Sequence, residues 1–130
     1  MAKDFKGVVF SGIGEGEIFV SLYAKNIKAK LNINPYPGTL NIKILNNIDE
    51  FNAALSRLNP IVIEPPEIPG TKLGRVLAYP AVLNYTVNVF IVRPEITVYK
   101  RNVAEVIAEV RLRDELNLSD GSEVTISLPD

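Results

Sequence analysis

The sequence has no cysteine, no histidine and no tryptophan in 130 residues, and one methionine. Without cysteine there is no disulfide, no thiolate nucleophile and no thiolate-bound metal. Without histidine the commonest general base and transition-metal ligand are missing. Net charge is nearly absent too. Fourteen Lys and Arg against 15 Asp and Glu leave −1, so the chain lacks the basic footprint of a duplex-DNA binder. No apolar run approaches the roughly 20 residues of a membrane span, and the opening MAKDF carries no secretory apolar segment. The expectation is a cytoplasmic protein, probing neither membrane nor nucleic acid. Its chemistry must come from carboxylates, hydroxyls, amides, cations and backbone.

What is present is an ordinary globular mix of 47% hydrophobic and 22% charged residues, at a length suited to one domain. No repeat stands out and no Pro/Gly/Ser linker divides the chain, so 1–130 is expected to be a single domain. Apolar and β-branched alternation predicts strands over 5–10, 17–22, 39–45, 60–64, 73–83, 86–92 and 123–128. Residues 105–110 suit a further strand or a helix. Helical spacing predicts short helices over 23–31, 47–58 and 113–118. The first two strands are expected to pair as a hairpin around residues 11–16. Six to eight short strands with two or three peripheral helices predict a mainly β chain closed into a small barrel, which leaves no exposed edges.

Three constellations carry chemistry. Gly12-Ile13-Gly14-Glu15-Gly16 holds three glycines in five residues, so its backbone N–H groups can converge on an anion. No GK[ST] follows, and the next segment reads as a strand rather than a helix, which argues against Walker and dinucleotide loops. A bulged hairpin is the plain alternative. Thr39 and Asn41, two apart at a strand start, share a face. They offer a hydroxyl and an amide oxygen, hard neutral ligands of the kind Mg²⁺ takes beside phosphates and water; a polar strand end is the alternative. Arg111 and Arg113, flanking Leu112, can meet phosphate or form a solvated face with local ion pairs.

Taken in order, the Ser-Gly-x-Gly-Glu-Gly loop, the Pro35-Tyr36-Pro37-Gly38-Thr39-Leu40-Asn41 turn, Arg93-Pro94 with Thr97, and the Leu-Arg…Leu-x-Leu-x-Asp-Gly ending resemble the archaeal CTP-dependent riboflavin kinases. The resemblance runs from about Lys6 to Leu128. It implies a six-stranded cradle-loop barrel, with no N-terminal winged-helix domain in this chain. The implied reaction moves the γ-phosphate of CTP to the riboflavin 5′-hydroxyl, giving FMN and CDP. By resemblance, Gly12, Ile13, Gly14, Glu15, Gly16 and Glu17 hold the nucleotide with Val110, Arg111, Leu112 and Arg113. Thr39 and Asn41 hold Mg²⁺, and Thr97 and Glu105 contact the flavin. Glu105 is the candidate base, with substrate positioning as its other possible role. A monomer is expected.

The chain departs from that pattern in three places. Leu22 runs directly into Tyr23 where the family tends to have Pro-x-Tyr. Asn32 stands where glycine is usual, and Glu17 where some relatives are basic. Two other readings are a non-catalytic flavin or nucleotide binder, and a DNA-binding protein of the swapped-hairpin kind, which the 111–124 stretch also resembles.

Overall fold

The structure, a computed structural model, describes residues 3–97 and 99–129. In chain order its elements are β1 (Lys3–Phe10), α1 (Gly16–Leu31), β2 (Leu40–Ile44), α2 (Ile48–Ser56), β3 (Ile61–Ile63), β4 (Val76–Leu83), β5 (Val87–Pro94), β6 (Val103–Ile107), α3 (Leu112–Glu115) and β7 (Glu123–Leu128). Every pairing is antiparallel. The order is β3-β4-β5-β6-β2-β1-β7, and β4 also pairs with β7. That last pairing closes six strands into a barrel, with β3 added outside on β4. The expected mainly β, six-stranded closed barrel with peripheral helices is what forms, with three helices among the described residues.

Strand alternation divides the protein into two cores. Phe5 and Val9 of β1, Leu40, Ile42 and Ile44 of β2, Ala104 and Val106 of β6 and Val124, Ile126 and Leu128 of β7 point into the barrel. Phe51, Ala54 and Leu55 of α2 and Leu112 of α3 join that cluster from outside the strands. The second core lies on the outer wall. There Val20, Tyr23, Ile27 and Leu31 of α1 pack on Ile63, Val76, Ala78, Val92 and Ile107. Among the described residues no helix is long and apolar enough to cross a membrane.

The predicted strand over 17–22 does not exist. Those residues form the first turns of α1, which runs unbroken from Gly16 to Leu31. The alternation of Ile18, Val20 and Leu22 misleads because Ile18 and Leu22 are exposed. The period that matters is 20, 23, 27 and 31, spaced for one helix face. The hairpin expected around the glycine loop is therefore a strand–loop–helix unit. Asn32 ends the helix in the left-handed region (φ 57°), and its N–H donates to Lys28 O; asparagine is the residue that most often replaces glycine in that conformation.

Elsewhere the differences are shifts of boundary. The ambiguous segment 105–110 is a strand, displaced to Val103–Ile107, and the third helix starts one residue early and is shorter. Strand β5 continues through Arg93 to Pro94 instead of stopping before them. Pro80 is tolerated inside β4 because it falls between the stretch paired to β3 (Val76 to Ala78) and the stretch paired to β7 (Val82 and Leu83), where no ladder on that side needs its missing N–H.

Candidate active site

The antiparallel register lays Phe10 of β1, Asn41 of β2, Glu105 of β6 and Val92 of β5 side by side across four strands. These residues face outward, away from the barrel core. Directly opposite residues on paired strands have their β-carbons roughly 5 Å apart, so Asn41 and Glu105 are neighbours although 64 residues separate them in sequence. Thr39 stands two residues before Asn41 and shares its face. The glycine loop between β1 and α1 crosses above this row.

The result is one cleft of about 400 Å³, lined by Gly12, Ile13, Gly14, Glu15, Gly16 and Glu17 together with Thr39, Asn41, Thr97, Glu105 and Arg113. Residues singled out from four separate stretches of sequence thus meet in one place. Val110, Arg111 and Leu112 do not line it. They border an adjoining depression of about 130 Å³, which shares Gly38, Thr39 and Arg113 with the cleft. The Leu112 side chain belongs to the barrel core. Both arginines carry carboxylate partners: Arg111 donates to Asp114 Oδ1 at 2.6 Å and Arg113 to Asp120 Oδ1 at 2.8 Å.

Close approach explains two of the loop glycines. A β-carbon on Gly12 would collide with the side-chain nitrogen of Asn41 and the hydroxyl of Tyr99, and one on Gly16 would collide with Thr39 Oγ1. The loop is pressed down onto the two neutral oxygen-bearing side chains. Gly14 differs: it has open space around it but takes φ +86°, which costs an L-residue roughly 1–2 kcal/mol. Beyond it, the first-turn N–H groups of α1 have no intrahelical acceptors. They add the positive end of a 16-residue helix to the loop amides, the usual setting for an anion.

The buried oxygen Asn41 Oδ1 has no hydrogen-bond partner among the described residues. An orphan acceptor at that depth costs about 1–3 kcal/mol, unless something outside the protein satisfies it. With Thr39 beside it and glycines pressed against both, the donor set fits a hard divalent cation. Glu105 is half-buried, and its carboxyl is pushed up to about 7, first by desolvation and then by the negative charge of Glu15. Near neutral pH such a group exchanges a proton readily.

Apart from Pro94, the apolar and aromatic part of the lining is not marked in the sequence. Phe10, Phe19, Pro94, Ile96 and Tyr99 form an apolar and aromatic side of the cleft. Tyr99 packs edge-on against Phe10, with centroids 6.0 Å apart, and its hydroxyl accepts the Ile13 N–H at 3.0 Å. The available signal was an aromatic residue two positions after Thr97. Its partner lies 86 residues away, which no local pattern reveals.

Fold and site together define a class: a small closed barrel with a glycine loop, neutral oxygens, a half-buried carboxyl and an apolar wall around one cleft on its outer face. Comparison with known proteins narrows it. Residues 9–128 match the family model CTP-dep_RFKase, described as domain of unknown function DUF120. A riboflavin kinase from Aeropyrum pernix is 47% identical over 126 residues, covering 97% of this chain and 96% of the relative. One from Saccharolobus solfataricus is 38% identical, covering 96% of this chain and 73% of the relative. One from Pyrococcus abyssi is 43% identical over 94% of this chain but only 57% of the longer relative. The chain belongs to the CTP-dep_RFKase family.

Proposed function

We propose that this protein is a riboflavin kinase that uses CTP, giving FMN and CDP. The observation that carries the reading is the convergence of the glycine loop, Thr39, Asn41 and Glu105 on one cleft. The names of the relatives support riboflavin as acceptor, and the name of the family supports CTP as donor.

Phosphoryl transfer needs in-line placement and neutralised charge more than covalent participation by the protein. The loop amides and the α1 N-terminus receive the phosphates of the nucleotide. Arg113, at the cleft edge, adds positive charge. Thr39 and Asn41 would hold Mg²⁺, whose donors being neutral leave its charge for the phosphate oxygens. The flavin lies on the side of Thr97 and Glu105, against the apolar wall. Its 5′-hydroxyl oxygen forms a bond to the γ-phosphorus as the bond from that phosphorus to the β-phosphate oxygen breaks. Glu105 takes the hydroxyl proton, and CDP leaves. With no histidine in the chain, a desolvated carboxylate is the base within reach.

The reading carries with it a cytoplasmic enzyme acting as a monomer, with no nucleic-acid partner. The test is to incubate the protein with riboflavin, CTP and Mg²⁺ and separate the flavins by chromatography. FMN with equimolar CDP is expected. Flavin binding without FMN would favour a non-catalytic binder and overturn the assignment.

A further inference from the structure

Tyr99 lies in the connection between β5 and β6, and it touches both sides of the cleft. Its hydroxyl accepts the Ile13 N–H of the glycine loop at 3.0 Å and, with Asn41, stands directly over Gly12. Its own N–H donates to Thr97 Oγ1 at 3.2 Å. Its ring bears edge-on against Phe10 of β1, at an interplanar angle of 78°. The path from Thr97 to the loop amide is thus two hydrogen bonds and one half-buried ring.

We infer that Tyr99 is a positioning residue that couples the two halves of the cleft, so that occupation on the Thr97 side and occupation of the glycine loop strengthen one another. The inference rests on the functional reading above for the identity of the two ligands. A ligand on Thr97 fixes the segment carrying Tyr99. The Tyr99 hydroxyl then holds the Ile13 amide, and the loop, in one arrangement. The second ligand meets a loop whose ordering is already complete, which is positive cooperativity without any large movement. Such coupling is reciprocal: each ligand tightens the other by the same factor, commonly about 5-fold or more.

The test uses CDP with Mg²⁺ and riboflavin, which together cannot react. Riboflavin affinity is read from flavin fluorescence with and without saturating CDP. In the wild-type chain, CDP should tighten riboflavin by about 5-fold or more. Tyr99→Phe keeps the ring and removes the hydroxyl, and should bring that factor to within about 2-fold of unity, with both ligands still binding. Phe10→Leu keeps the hydroxyl but removes its bearing, and should reduce the factor less; it also serves should Tyr99→Phe melt well below the wild type. Both ligands binding with no mutual effect in the wild type, or with the full effect surviving in Tyr99→Phe, would overturn the coupling alone. Failure of the wild type to bind either ligand would overturn the functional reading and the coupling with it.

Discussion

Asn41→Leu separates what the site needs from what the fold needs. Asn41 is 9% exposed on a strand paired to both β1 and β6, with Oδ1 buried and unpartnered among the described residues. In the ligand-free protein that acceptor costs about 1–3 kcal/mol. Leucine has the same branched outline and no polar atom, so its burial removes the cost and adds a little apolar contact. Some of the gain is offset where its methyl meets the loop at Gly12, on which the Asn41 amide already presses. A net stabilisation of about 1–2 kcal/mol corresponds to a melting point higher by roughly 4–7 °C in a domain of this size. Turnover should fall about 10²-fold or more, the scale of losing a group that helps neutralise developing charge. The order of stabilities should reverse when Mg²⁺ and CDP are added, because binding to the native state stabilises the wild type by about 2.7 kcal/mol at a hundred times Kd and the variant much less. The assays are thermal denaturation with and without ligands, and FMN formation at limiting Mg²⁺. A variant that melts lower than the wild type yet forms FMN normally would refute both the orphan-acceptor argument and the ligand assignment.

Glu105→Gln should lose about 10²-fold in turnover with riboflavin affinity little changed if the carboxylate is the base; lost affinity with surviving turnover would make it a positioning group instead. Wild-type turnover should rise with pH through about 7, where Glu105 deprotonates, and Glu15→Gln should move that midpoint down by removing the second cause of the shift. The same raised value means that the folded chain keeps this proton where the unfolded chain has lost it. The stability it contributes is present below about 4.5 and lost as pH rises to about 7, so Glu105→Gln should gain on the wild type in denaturant titrations as pH rises through that window. Gly14→Val should weaken CDP binding measured by calorimetry by about tenfold, through the backbone alone, since its side chain has open space at φ +86°; unchanged affinity would make the loop an ordinary turn. Gly16→Ala, which drives a methyl at Thr39 Oγ1, should raise the Mg²⁺ concentration needed for half-maximal FMN formation, and an unaltered requirement would count against Thr39 as a ligand.

The parts of this protein legible in its sequence are those set by local pattern. Strand β7 is legible to the residue, because Asp120-Gly121 marks its start and the apolar Val124, Ile126 and Leu128 alternate with polar residues along it. Strand β2 was read to within a residue at each end, and Thr39 and Asn41 were placed on one face by period two alone. The N-terminal half of α1 was not legible. Ile18, Val20 and Leu22 alternate like a strand, and only packing of Val20 and Tyr23 on Val76, Ala78 and Val92 shows which period governs. The strand-like alternation is also what argues against a strand–glycine loop–helix anion site, and the helix from Gly16 removes that objection, although Gly12, Gly14 and Gly16 keep an even spacing that the dinucleotide fingerprint lacks. Barrel closure through Val82 with Ser127 and Leu83 with Ile126, and the meeting of Asn41 with Glu105, depend on long-range register. The residues could be singled out; their adjacency could not.

Transfer of a phosphoryl group from CTP to riboflavin, in the cleft beneath the glycine loop, is what we propose. Its most direct test gives the protein riboflavin and Mg²⁺ with CTP, ATP, GTP and UTP in four separate reactions and follows FMN by chromatography. FMN formed with CTP, at a rate well above that with the other three, is the predicted result. No FMN with any nucleotide, or FMN formed with ATP and not with CTP, would contradict the account.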